Sequence, residues 1–361
     1  MNGQTPVTIT PLTGIPEVQQ HHDLGVLLRE AMERGGLLLH DGDVLVVSSK
    51  LVSKAWGLRA HDVQRDTVVL AQSRRVVAER RTPTGITRVV ESAAGPVLAA
   101  AGIDASNTGP AGGLLLLPAD PDLAARAVYA ALLSAYAPAP LPEIGIVLSD
   151  TAGRPWRQGQ SDFALGACGV QVLEDLRGGT DADGRELSVT ARALADEIAA
   201  AADLVKGKAR AVPAALVHGL PRECVGQPGL PGAAHLVRTG PDDWFATGAS
   251  EAVRSALGVP PGSAASEEIG IAALTPESQE TRVGRAIALA LWEDPGGAAE
   301  AIAPVEVAIV VEHLEVSCAD PYRRGRVRAR LEFALHAEGL AGMPVRSSPG
   351  SGSAAGGSAD G

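Results

Sequence analysis

The chain has 361 residues, enough to bury a sizeable core and, by length alone, to form two domains. Its formal net charge of −11 argues against a general nucleic-acid or membrane-surface binder, and with 3% aromatic residues it lacks stacking platforms for bases. Cys168, Cys224 and Cys318 are odd in number and widely spaced, which fits reduced cytoplasmic thiols and neither a disulfide framework nor a zinc cluster.

In chain order, residues 7–10 read as a strand, and an extended loop follows at Ile15, Pro16, Glu17 and Val18. Residues 23–34 have the apolar spacing of a helix that begins at an N-capping aspartate. The turn Asp41-Gly42-Asp43 leads into the strand Val44–Val47, which ends in Ser48, Ser49, Lys50 and, four residues on, Lys54. Taken alone, those lysines are solvated surface. Asp104, followed by Asn107 in a turn-prone loop, is either a metal carboxylate or an Asx turn. A second helix spans 122–136, again starting at an aspartate.

The most informative stretch is 149–162. The apolar run 144–148 reads as a strand buried on both faces, which places Asp150 at the carboxyl end of a sheet, where α/β proteins bind ligands. Asp150 and Thr151 offer oxygen ligands to Mg²⁺ or Mn²⁺, and Arg154 and Arg157 are suited to grip phosphate. An isolated Asp-Thr pair is equally well a cap or a turn. Trp156 is a candidate to stack on a flat ring or to support the loop. Residues 195–208 form an alanine-rich helix closed by lysines and Gly207, and a strand at 213–217 precedes His218-Gly219-Leu220.

Further on, residues 251–268 read as a linker. A small unit at 269–340 follows. It holds a helix at 276–292 with a proline near its first turn, and a hairpin of strands 305–316 and 326–336 around a 319–325 turn. The second strand rests on alternating Val327, Ala329, Leu331, Phe333 and Leu335. The Gly/Ser/Ala-rich end, 341–361, is expected to be disordered. No charged n-region precedes an apolar core and apolar runs stay short, so neither secretion nor a membrane span is expected and the cytoplasm is the default location. Gly207-Lys208 is followed by Ala209, so no P-loop occurs, and no G-x-G-x-x-G joins a strand to a helix. The eight histidines show no metal-ligand spacing.

Together and in this order, these segments resemble the coenzyme F420-0:L-glutamate ligase family, GTP-dependent ligases that build the γ-glutamyl tail of a deazaflavin cofactor. The resemblance covers about residues 7–247. It implies a mixed α/β (α+β) fold peculiar to the family, a catalytic domain over 1–250 and an intertwined homodimer. It places metal-binding groups at Asp104, Asp150 and Thr151, for two Mg²⁺ or Mn²⁺ ions, with K⁺ a candidate further ion. It places GTP contacts at Ile15, Pro16, Glu17, Val18, Ser49, Lys54 and Asn107, and a later nucleotide loop at 218–220.

The implied reaction phosphorylates the terminal carboxylate of F420-0 with GTP. The α-amine of L-glutamate then attacks the acyl phosphate, releasing phosphate beside the GDP already formed. No general base is assigned. Some actinobacterial relatives carry a fused flavin-binding domain. The ninety or so ordered residues here are too few for one, and no flavin is expected. Two other readings stay open: a metal-dependent phosphatase with Asp150 as nucleophile, which lacks its usual second acid because Ala152 stands there, and a non-catalytic guanine-nucleotide-binding protein.

Overall fold

Val44, Leu45, Val46 and Val47 are all buried because they belong to a sheet covered on both faces. The computed structural model describes residues 6–240, 243–292 and 304–350. The chain divides into two units, 1–74 with 90–243, and 75–89 with 244–361.

In the first unit, strand β1 (Thr8–Pro11) leads to helix α1 (Leu24–Arg34), strand β2 (Val44–Ser48) and helix α2 (Ser49–Ala55). A two-residue strand β3 (Arg59–Ala60) and helix α3 (Arg65–Ala71) follow, then strands β4 (Ser73–Thr82) and β5 (Gly85–Ser92), most of which belong to the second unit, and strand β6 (Val97–Ala99) back in the first. The short strand β7 (Leu114–Leu115) pairs with β3. Helix α4 (Pro121–Tyr136) then precedes the long hairpin of β8 (Gly145–Arg154) and β9 (Arg157–Cys168). The short pair β10 (Glu174–Asp175) and β11 (Ala191–Arg192), helix α5 (Leu194–Lys206) and strand β12 (Ala214–His218) complete the unit.

The central sheet runs β1-β12-β2-β8-β9; β2 and β8 are parallel and the other neighbours antiparallel. Side chains alternate across it. Leu45, Val47, Ile146 and Leu148 pack with Leu28 and Met32 of α1 and Leu132 of α4. Val44, Val46, Val147 and Val217 pack with Ile198, Ala199 and Ala202 of α5 on the other face. The small alanines of α5 let that helix lie close to the sheet. Gly166 does the same for α4, since a Cβ there would sit 2.2 Å from the Pro121 carbonyl oxygen.

Asp23 caps α1 as expected, accepting from the Val26 amide at 3.1 Å. The cap of α4 is Asp120, not Asp122; Asp120 accepts from the Leu123 amide at 2.9 Å. Asp122 instead accepts from the amides of Ala167 and Ala233, tying the helix start to β9 and a loop beyond it. All three cysteines are buried free thiols, and Cys168 is part of the core.

In the second unit, the stretch read as a linker, 251–268, carries most of two helices, α6 (Ala249–Ala256) and α7 (Ala264–Ile269). Pro260, Pro261 and Gly262 make only the turn between them. The physical reason is burial. Glu251, Arg254 and Ser266 are buried, and Arg254 donates to the Ser266 hydroxyl and the Gly270 carbonyl.

Helix α8 (Gln279–Leu291) is capped by Ser278, so Pro276 lies outside it. The expected hairpin is placed differently. Strand β13 (Glu306–Val310) and all but the last residue of β14 (His313–Ser317) fall inside the single strand expected at 305–316, with a two-residue turn between them. Residues 326–336 are part of helix α9 (Pro321–Ala337). Its buried residues are Val327, Leu331, Ala334 and Leu335, while Phe333 is 60% exposed, so the helical period overrides the alternation. Asp320 accepting from the Tyr322 amide, with Pro321 next, starts that helix.

Of the end expected to be disordered, strand β15 (Val345–Ser348) pairs in parallel with β14. Residues 351–361 lie outside the described residues. Among the described residues, no helix is long and apolar enough to cross a membrane.

Candidate active site

A cavity of about 500 Å³ opens in the first unit where β2 ends and β8 continues. The sheet positions its walls. Asp150 is not the end of its strand, because β8 extends to Arg154 and pairs Asp150 with Phe163 and Thr151 with Asp162. The register shift opposite Leu148 and Ser149 leaves Leu165 of β9 as the extra residue, so the alternation along β8 itself is unbroken. Alternation then puts Ser149 and Thr151 on the α5 side and Asp150 on the other.

On the α5 side, Lys206 is buried and donates to the Ser149 hydroxyl at 2.6 Å and to Asp162 Oδ2 at 2.8 Å. The Thr151 hydroxyl donates to Asp162 Oδ1 at 2.5 Å and accepts from Lys208 at 2.8 Å. Burial raises the Asp162 carboxyl, but the Lys206 charge and the hydrogen bonds around it bring it below its ordinary value. Gly207, at φ 64°, turns the chain out of α5, so that Lys206, Lys208, Ala209, Ala211, Val212 and Pro213 line the cavity.

On the opposite side, helix α2 begins directly at the end of β2 and presents Lys50 and Lys54, one turn apart. Lys54 Nζ lies 2.5 Å from Glu17 Oε1, and Lys50 Nζ lies 2.5 Å from Asp104 Oδ2. The other oxygen of Asp104 accepts from the Ser106 amide and hydroxyl, both at 2.7 Å, so the Asx turn is present. Burial pushes the Asp104 carboxyl up, and hydrogen bonds from Lys50 and Ser106 hold it below its ordinary value. Gly109, at φ 77°, lets this loop meet the 15–18 loop; a Cβ there would lie 2.2 Å from Glu17 Oε1.

Asp150 has the most perturbed carboxyl of the group. Burial first, then the Asp162 and Asp104 charges, push it to about 6 against the pull of the Thr151 amide and Lys50. A carboxylate so placed is stabilised by a cation. Oxygen donors from acids are the ligands that Mg²⁺ and Mn²⁺ take, so the donor set fits such an ion.

Ile15, Pro16, Glu17, Val18, Lys54, Asn107, Asp150 and Thr151 all line this one cavity. Asp104 adjoins it through Lys50. Ser49 is buried as the first residue of α2, and its neighbour Ser48 reaches the wall instead. Asn107, at φ 53°, donates to the Lys208 carbonyl at 3.4 Å.

Other sequence expectations fall elsewhere. Arg154, Trp156 and Arg157 are exposed at the hairpin tip, outside the lining, roughly 13 Å of strand beyond Asp150. Trp156 is 83% exposed. The positive charge of the cavity comes from Lys50, Lys54, Lys206 and Lys208. The loop at 218–220 follows β12 at the far end of the sheet, and it is 206–213, before β12, that reaches the cavity. Asp162, Lys206 and Lys208 carry no assignment from the sequence. Their signal was a lysine pair closing an amphipathic helix, which reads equally well as ordinary C-terminal capping.

The sequence model of the F420-0:gamma-glutamyl ligase family matches residues 14–219. The chain is 38% identical over 215 residues to the coenzyme F420:L-glutamate ligase of Halobacterium salinarum, covering 54% of this chain and 79% of that protein. It is 36% identical over 216 residues to the protein of that name from Natronomonas pharaonis, with the same coverage. With the one from Methanopyrus kandleri it shares 34% identity over 264 residues, covering 68% of this chain and all of the relative. The matched family region takes in every wall of the cavity.

Proposed function

Because the chain belongs to the F420-0:gamma-glutamyl ligase family, we propose that it joins L-glutamate to coenzyme F420-0, with GTP as co-substrate and an acyl phosphate as intermediate. The observation that carries this reading is the convergence on one cavity of the 15–18 loop, Lys54, Asn107, Asp150 and Thr151.

A carboxylate is a poor electrophile, so amide synthesis needs it converted to an acyl phosphate, a mixed anhydride with phosphate as leaving group. The γ-phosphoryl of GTP moves to the carboxylate oxygen of F420-0 and GDP departs. The amine of glutamate then attacks the carbonyl carbon, the C–O bond to phosphate breaks, and the amine loses a proton. Such transfer asks a protein for positioning and charge neutralisation. Lys50, Lys54 and Lys208 supply point charges at the cavity wall, and the 15–18 loop lines the same cavity, where it would meet the nucleotide.

Asp150 and Asp104 are the residues that would hold Mg²⁺ or Mn²⁺, with Thr151 beside them. When bound, such an ion offsets the charge of the phosphate oxygens. For Asp104 to serve, Lys50 must leave it and turn to the phosphates. Lys206 holds Asp162 and Ser149 in place and thereby fixes the strand that carries Asp150. A homodimer belongs to the same reading.

Replacing glutamate by hydroxylamine tests the intermediate. With F420-0, GTP and Mn²⁺, the hydroxamate of F420-0 and GDP are expected in equal amounts, and ATP is expected to serve poorly. GDP release that ignores F420-0, or no hydroxamate alongside full GDP release, contradicts the acyl phosphate.

A further inference from the structure

The end of the central sheet remote from the cavity brings together two histidines and an aspartate. His40 lies in the turn before β2, Asp43 immediately precedes that strand, and His218 is the last residue of β12. The antiparallel register pairs Val217 with Val44, which carries His218 to the place across from Asp43. Asp43 is 1% exposed. Its Oδ2 accepts from the His40 amide at 2.9 Å, and its Oδ1 lies 2.6 Å from His218 Nδ1. His40 Nδ1 is 3.8 Å from Asp43 Oδ2, and the two imidazole centroids are 5.2 Å apart, edge to face. One ligand atom from each residue lies within 4.8 Å of the other two.

We propose that His40, Asp43 and His218 bind a divalent transition-metal ion of the zinc class, with water completing its shell. Two imidazole nitrogens and one carboxylate oxygen suit zinc and its neighbours, whereas Mg²⁺ and Ca²⁺ take oxygen. Around a tetrahedral ion with bonds near 2.0–2.1 Å, donor atoms stand about 3.3 Å apart. The observed separations bracket that value. Closing on an ion requires His218 to rotate slightly away from Asp43 and His40 to turn toward it. Both imidazoles are free to do so, with side chains 60% and 44% exposed. Asp43 is the fixed member, held by the His40 amide in the manner of an oriented ligating carboxylate.

The site is separate from the cavity. From Asp43 to Ser48 the strand rises about 16 Å at roughly 3.3 Å per residue. The ion therefore clamps the turn before β2 to the end of β12 and takes no part in phosphoryl transfer.

Co²⁺ titration of the full chain, followed by visible absorption, tests this, with Asp150→Asn as background to weaken the oxygen-lined cavity. We expect one equivalent of Co²⁺ with the absorption of an imidazole-bound ion, displaced by Zn²⁺. His40→Ala and His218→Gln should each weaken Co²⁺ binding at least about a hundredfold, more than the loss of an outer-shell partner. Zn²⁺ should raise the melting temperature of the parent and leave that of His40→Ala unchanged. His40 is exposed, so this variant folds, as its melting temperature in chelator will report. A Co²⁺ spectrum without imidazole ligation, or binding equally tight in parent and both histidine variants, overturns the proposal.

Discussion

Asp150→Asn lowers ligase turnover by about a hundred- to a thousandfold at saturating Mn²⁺, equivalent to roughly 3–4 kcal/mol of transition-state stabilisation. The amide keeps the shape of the side chain and loses the charge that a cation needs. The same substitution stabilises the metal-free protein. The folded-state pKa of Asp150 is raised from 3.8 to about 6, so the folded chain binds its proton more tightly than the unfolded chain does. Stability is therefore full at pH below 3.8 and declines as pH rises toward 6, and above 6 the ionised carboxylate costs roughly 3 kcal/mol at most. Metal-free Asp150→Asn should accordingly melt higher than the parent at pH 8, with the difference shrinking as the pH falls through 6 toward 4. Near-normal turnover, or an unchanged melting temperature across that range, contradicts the placement of Asp150.

Lys206→Met destabilises the protein by about 3–5 kcal/mol, the usual consequence of stripping one partner from a buried ion pair. Both side chains of the Lys206–Asp162 pair are 5% exposed. Without Lys206, the Asp162 carboxylate keeps the Thr151 and Ser149 hydroxyls but no compensating charge, and the Ser149 hydroxyl loses its donor. Because the folded-state pKa of Asp162 is depressed, the stability it supplies is present above the unfolded value and is lost as pH falls through the lower folded value. Urea unfolding at pH 7 should show the full cost. Adding Asp162→Asn to Lys206→Met should recover a large part of it, since no buried charge is then left unpaired. A cost below about 1 kcal/mol for the single variant would mean that water enters and the pair is not buried in solution.

The parts legible in the sequence are those set by near neighbours. The apolar runs of β2 and β8 announce a sheet covered on both faces, and Asp23 announces the start of α1. The residues proposed for nucleotide and metal are mostly found on one cavity, because the motif order carried information that spacing alone did not. What stayed hidden depends on distant partners. Asp122 looks like a cap, but its acceptors are used by Ala167 and Ala233, far along the chain. Residues 326–336 satisfy both a period of two and a helical period, and only the packing of Val327, Leu331 and Leu335 against the rest of the second unit decides between them. The lysines of the cavity and the His40, Asp43 and His218 group are assembled by strand register across more than a hundred residues.

Mass spectrometry of F420-0 incubated with the purified protein, L-glutamate, Mn²⁺ and GTP measures the central claim directly. The account predicts a mass gain of whole glutamyl units, one GDP released for each unit, and little gain with ATP. GDP release with no change in the mass of F420-0, or no turnover in the presence of bound GTP, would contradict it.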